Sequence, residues 1–389
     1  MDGLPITSTV GVLATLCSIC AFFFWLERWT RWRLFQYLPP LIFIYLAPVI
    51  LSNTDVLPTK SPVYETLGSL VLPMMLVLLL LKVNVGGAIR VLGRGVGVMF
   101  FGTLGVMVGA PIGYLLVKRW LEPEAWKAFG VLAGSWIGGT GNMAALSKMI
   151  DADGSEVGLA VLGDSTIYII WLPILLGSKH FADKFAKFTG VAPEQAARME
   201  AAAAAEQTET RAPTTPDFLF LLCIALMATW AADLIAARLP VIDPYLSTNT
   251  WRILLITTLG IGLSFTRCSE IPGSYELGMA LVYLFVARMG AQAELESVAT
   301  QALPFLAGAT VWIFIHGAFC LLGAKLLKVD VHMAAIASAA NIGGAASASI
   351  VATHHQRSLV PASILMALLG YAVGNYAAWA TAMLCRMVA

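Results

Sequence analysis

Long apolar runs separated by short polar links set the pattern of this chain. A run of about 18 or more residues with few charges reads as a membrane span. Such runs fall at residues 10–26, 34–51, 63–82, 96–117, 127–150, 156–177, 217–236, 250–266, 274–290, 303–327, 332–353 and 359–385. The second holds Pro39, Pro40 and Pro48, which predict a kink. Between 178 and 216 the pattern breaks: Lys179, Lys184, Lys187, Glu194, Arg198, Glu200, an alanine tract, Pro213 and Pro216 form a polar connector. A short surface helix is expected there at 192–205. The chain thus divides into a first unit over 1–177, a connector over 178–216 and a second unit over 217–389.

The two units share an order of elements. Residues 136–141 read Trp-Ile-Gly-Gly-Thr-Gly and residues 341–346 read Asn-Ile-Gly-Gly-Ala-Ala, with the Ile-Gly-Gly triplets 205 positions apart. In each unit a long span precedes the glycine-broken segment and a closing span follows it. Hydrophobic segments interrupted by glycine at matching places in two halves point to a transporter binding site. Each broken segment has two arms of roughly 8–11 residues, about 12–16 Å at helical rise and near half of a ~30 Å hydrocarbon core. Length therefore allows either a re-entrant hairpin with a midplane tip or a discontinuous crossing helix. Placement of Lys and Arg favours hairpins. With ten spans and an outer N-terminus, fifteen of the 24 basic residues lie inside with the connector; if both segments cross, eleven do. Five spans plus a hairpin is an odd number of crossings, so the units are expected to be inverted repeats. The expected fold class is an all-α polytopic membrane protein of two such repeats.

Composition agrees. Hydrophobic residues make up 59% of the 389, charged residues 12%, and mean hydropathy is +0.80; a soluble domain carries about 25% charge. A net charge of +1 offers no field for nucleic acid. The apolar run at 10–26 lacks a basic stretch before it and ends in Trp25, Glu27, Arg28 and Trp29, so a retained span is expected rather than a cleaved leader. The six cysteines are scattered; Cys17 and Cys20 have CxxC spacing inside an apolar helix with no second pair, which reads as packing.

Candidate chemistry gathers at the breaks. Unwound backbone survives at membrane depth only where protein or water satisfies it. Gly138, Gly139, Thr140 and Asn142 in the first break, with Asn341, Gly343, Gly344 and Ser347 in the second, are the expected substrate-binding residues, with Ser135 and Ser349 nearby. Freed N–H groups opening each second arm suit an anionic group, and freed carbonyls ending each first arm suit a cation. Asp164 lies about eight residues into an apolar span, roughly 11 Å deep, where a carboxylate costs about 2.5–3.5 kcal/mol on insertion scales. It is the expected ion-coupling residue, with Ser165 beside it, Tyr168 on the same helix face, and Asn375 at corresponding depth near Tyr371 in the second unit. His316 sits mid-span. Arg288 and Gln292 end an apolar run, where an arginine snorkels to the surface more often than it binds substrate. His354 and His355 lie at the mouth of the second broken segment without further metal ligands in view.

Enzyme motifs fail on context. Residues 139–144 fit GxGxxA with no βαβ unit around them, HExxH and GxSxG are missing, and Val161-Leu162-Gly163 before Asp164 is not GxGD. No enzyme activity, cofactor or structural metal is expected.

The run from Gly134 to Asn142, Gly134-Ser-Trp-Ile-Gly-Gly-Thr-Gly-Asn, then Gly163-Asp164 and later Leu369-Gly370-Tyr371-Ala372, resembles the YjcL-like integral membrane family over most of the chain. That resemblance implies no substrate. At fold level the paired breaks are similar to glutamate–sodium symporters, citrate (2-hydroxycarboxylate) transporters and, more distantly, bile-acid–sodium symporters, in the first two of which Gly-Gly hairpin tips line the substrate site. Gly138/Gly139 and Gly343/Gly344 match those tips, while Ala345-Ala346 departs from the fuller GGxG pattern. The resemblance implies a homodimer. The expectation is a secondary active transporter for a small solute, an anion included, coupled to Na⁺ or H⁺ in the plasma membrane with the connector cytoplasmic; the alternative is a channel or a non-transporting structural or regulatory membrane protein.

Overall fold

The structure, a computed structural model, describes residues 5–32, 35, 40–192, 211–243, 245–293 and 295–389. The helix expected at 192–205 lies outside the described residues but for its first position. Fourteen helices are described: α1 Thr9–Thr30, α2 Pro40–Asn53, α3 Pro62–Leu80, α4 Val85–Leu92, α5 Arg94–Val117, α6 Trp126–Met149, α7 Gly154–Ser178, α8 Ala182–Thr189, α9 Thr215–Ala236, α10 Thr248–Ser264, α11 Ser274–Ala291, α12 Leu295–Leu327, α13 Val331–His355 and α14 Val360–Met387. No strand occurs among the described residues. Eight of the helices are long and apolar enough to cross a membrane. Their outward faces carry large apolar side chains, including Phe22, Leu104, Leu115, Leu219, Trp230 and Phe314, as a surface solvated by lipid requires. The protein is a multi-pass membrane protein.

Local chemistry sets the helix ends. Asp153 caps α7 by accepting from the backbone N–H of Ser155 and Glu156 at 2.8 and 3.0 Å, while Glu156 accepts from the Asp153 N–H at 2.6 Å, a complete capping box. Asp330 caps α13 through the Met333 N–H. Prolines open α3, α9 and α14, where the missing N–H costs nothing. α2 starts at Pro40 and carries Pro48 inside it. α3 contains a π-turn over Leu67–Val71.

The two broken segments return to the side on which they start. In α6, Gly139 has φ +73° and ψ −175°. A methyl group at Gly134 would lie 2.9 Å from the Asn142 carbonyl oxygen, and one at Gly130 would lie 3.1 Å from Ile150 Cδ1. In a continuous helix Gly130 and Ile150 would stand about 30 Å apart. In α13 the break is at Gly344, φ +63° and ψ −156°, and the Nδ1 atoms of His332 and His355 are 3.0 Å apart. Both are re-entrant hairpins, so α13 does not cross despite its length. They open on opposite ends of the bundle. The first ends at Ile150, just before α7 begins. At the second, His355 Nε2 donates to Leu175 O and Lys179 donates to His354 O, near the end of α7, about 30 Å along that helix.

Packing between the halves is matched. α1 lies on α2 and α11, and α9 lies on α10 and α3; α2 lies on α11 and α10 on α3; α6 lies on α7 and α14, and α13 on α14 and α7. α5 crosses α12 closely through small residues: a methyl at Gly113 would lie 2.6 Å from Gly308 O, and Gly105 and Gly109 meet His316 and Trp312.

Candidate functional site

The hairpin tips are built by backbone conformation. A positive φ at the second glycine of each Gly-Gly pair, Gly139 and Gly344, reverses the chain, a conformation that L side chains rarely adopt. One residue of α14 touches both tips. A methyl at Gly139 would lie 3.0 Å from Tyr371 Cε1, and one at Gly344 would lie 3.2 Å from the Tyr371 hydroxyl oxygen. That hydroxyl accepts from the Ala345 N–H at 3.5 Å, at the start of the second arm, and also hydrogen-bonds Tyr275 of α11.

The tips wall a cavity of about 360 Å³, within the size range of small-molecule sites. Gly138, Gly139 and Thr140 face it from one tip and Gly343, Gly344 and Ser347 from the other; Asp164 and Ser165 face it from α7. Asp164 is partly open to the cavity. Its Oδ1 accepts from Trp136 Nε1 at 3.1 Å, and Ser135 donates to its carboxylate as well. Trp136 is fully buried and lies 4.4 Å, centroid to centroid, from Trp312. Ser165 spends its hydroxyl on Val161 O. Tyr168, one turn beyond Asp164, hydrogen-bonds Ser347 and so joins α7 to the second tip.

The three asparagines lie behind the cavity wall rather than in it. Asn142 donates to Tyr371 O at 3.1 Å and ties the first hairpin to α14. Asn341 donates to Met99 O at 3.0 Å and accepts from Thr103, tying the second hairpin to α5. Asn375 donates to Thr257 of α10 at 2.7 Å, and its Oδ1 is buried without a hydrogen-bond partner.

A protein-family model described as a protein of unknown function (DUF819) matches residues 14–388. The chain belongs to that family. It is also 28% identical over 349 residues to the uncharacterized membrane protein YjcL of Bacillus subtilis (strain 168), an alignment covering 84% of this chain and 85% of the relative.

In this DUF819 chain the cavity has walls that the sequence reading did not assign. Tyr275, Met279 and Tyr283 line it from α11, and Phe24 and Glu27 from α1. The α11 residues are spaced i, i+4, i+8, a single helix face carrying two tyrosines in an apolar span, and that stripe was the available signal. Away from the tips, the cavity reaches the end of α1, the start of α2 and the end of α3, toward the end of the bundle on which the second hairpin opens. On the other side the first hairpin is shut against apolar residues: a methyl at Gly141 would lie 3.0 Å from Leu79 and 4.0 Å from both Leu76 and Val282. His316 is fully buried, bonded through Nδ1 to Gly102 O and through Nε2 to Ser338 Oγ, each at 2.9 Å, which makes it a link among α12, α5 and α13 away from the cavity.

Proposed function

We propose that this protein is a secondary active transporter that carries a small solute, coupled to Na⁺ or H⁺, by alternating access. The observation that carries the reading is the meeting of two opposed hairpin tips in one cavity whose wall holds Asp164. Backbone with positive φ at membrane depth is tolerated only where a cavity or protein satisfies it, and both tips face the same ~360 Å³ space. An acid placed at that depth is expensive and marks a pathway or a coupling ion.

The two units act as inverted repeats. The matched packing of α1–α3 with α9–α11, and of α6 and α7 with α13 and α14, supports that reading. The scaffold comprises α1–α3 and α9–α11, and the moving part comprises both hairpins with α7 and α14. With the connector on the cytoplasmic side, as the distribution of Lys and Arg favours, the cavity opens inward and the first hairpin closes the outer route. Alternating access then exchanges which hairpin parts from the scaffold. Asp164 binds the coupling cation or proton, and the tip residues Thr140 and Ala345, both in the cavity wall, meet the solute.

A thermal-shift screen of small metabolites on the purified protein, with and without Na⁺ and across pH, tests the reading. A solute that stabilises the protein in a Na⁺- or pH-dependent way is the expected result. A melting temperature indifferent to every solute, to Na⁺ and to pH would contradict it.

A further inference from the structure

A second cavity, about 270 Å³, lies at the opposite end of the bundle, between the end of the first hairpin, the start of α7, the end of α11 and the link that precedes α3. Its charged lining is lopsided: Lys60, Lys148 and Arg288 face it with a single carboxylate, Asp153. That carboxylate is already engaged, accepting from two backbone N–H groups as the cap of α7.

Arg288 is the anomaly. It was expected to snorkel, yet it is only 6% exposed. Its Nε donates to Tyr64 O at 2.7 Å and its guanidinium lies 4.9 Å from the Phe285 ring centroid. No carboxylate among the described residues pairs with it. Instead a second cation converges on it. A methyl at Gly68 would lie 3.2 Å from Lys148 Cε and 3.4 Å from Arg288 Nη2, so the two side chains meet over one glycine in the π-turn of α3. A buried charge costs several kcal/mol unless it is paired, and like charges brought together add to that cost. A bound anion bridging Lys148 and Arg288 offsets both. The guanidinium presents two terminal nitrogens as a planar fork, which fits the paired oxygens of a carboxylate or phosphate; Thr59 supplies a hydroxyl in the same lining, whereas the Ser147 hydroxyl is spent on Ala144 O.

We propose that this cavity binds a small oxyanion, a carboxylate or phosphate group, and that the carried solute is itself an anion which waits there on the outer side of the closed first hairpin. The second half of the proposal rests on the transporter reading; the binding site does not. The cavity straddles the seam between the hairpin arm bearing Lys148 and the scaffold helix bearing Arg288, so an anion in it also holds that seam together.

The test is calorimetric and thermal-shift titration of the detergent-purified protein with inorganic phosphate and with succinate, using chloride as the control. Saturable binding of at least one oxyanion, well above chloride, is expected. Arg288→Gln and Lys148→Gln should each weaken it about tenfold, the loss of one charge-assisted hydrogen bond, with Arg288→Lys falling between Gln and the native arginine. Phosphate binding alone assigns a phosphate group, and succinate binding alone assigns a carboxylate. If Arg288→Gln does not fold, the half-buried Lys148 carries the test. Absence of saturable oxyanion binding, equal binding of chloride, or unchanged affinity in folded Lys148→Gln would overturn the proposal. Oxyanion binding without uptake of any solute would remove the transporter reading and leave the site; anion uptake with no binding here would do the reverse.

Discussion

The hydroxyl oxygen of Tyr371 lies 3.5 Å from the backbone nitrogen of Ala345, and the edge of the same ring rests against Gly139. A single side chain from α14 therefore couples the turning points of two hairpins that enter from opposite ends of the bundle. A solute or ion that moves one tip disturbs the contact with the other. Tyr371→Phe keeps the ring between the tips and removes the hydroxyl. The expected stability loss is about 0.6 kcal/mol, the average for such bonds in membrane bundles, with a larger effect on solute affinity. Equal affinity in Tyr371→Phe and the native protein would show that the hydroxyl has no part in the site.

Gly139→Ala and Gly344→Ala should each destabilise the protein by about 1 kcal/mol or more, because the positive φ is unfavourable for an L side chain and because the new methyl meets Tyr371. Gly262→Ala is the control: it is helical and a methyl there meets nothing within 4 Å, so it should be neutral or stabilising by up to about 1 kcal/mol. Thermal unfolding of the three variants checks the difference.

Hairpin geometry is open to a direct test. Cysteine pairs at Gly130 and Ile150, and at His332 and His355, in a background without native cysteines, should be joined by a short bifunctional thiol reagent. Crossing helices would separate each pair by about the thickness of the hydrocarbon core, and no crosslink would form.

The indole N–H of Trp136 holds the Asp164 carboxylate at 3.1 Å. Trp136→Phe preserves the aromatic contact with Trp312 and deletes the donor. Folding should survive, and the concentration of coupling ion needed for half-maximal solute binding should shift about tenfold or more, the scale of one hydrogen bond to a charged group. An unshifted ion dependence would mean that the indole does not tune Asp164.

Much of this was legible in the sequence. The Ile-Gly-Gly triplets marked both tips to within one residue, because only glycine tolerates the φ found at Gly139 and Gly344. Asp164 stood out because a carboxylate in an apolar span is costly. Hairpins could only be favoured by counting basic residues, since arm length fits both topologies; the Gly130–Ile150 and His332–His355 contacts are long-range and decide it. Asn142 and Asn341 looked like lining because they flank the breaks. Each is three residues from its kinked glycine, however, and the helix turns it toward α14 or α5. Arg288 at a span end read as surface-seeking, and nothing local announced that Tyr64 and Phe285 would enclose it. The walls from α1 and α11 were missed for the same reason: they are remote in sequence from the breaks.

The central claim is that Asp164, between the two tips, couples ion movement to solute movement. The direct measurement is solute uptake into proteoliposomes under an imposed Na⁺ or proton gradient, using the solute that most stabilises the purified protein. The native protein should concentrate the solute, and Asp164→Asn, folded and still reconstituted, should lose concentrative uptake. Native-like concentrative uptake by Asp164→Asn would contradict the claim.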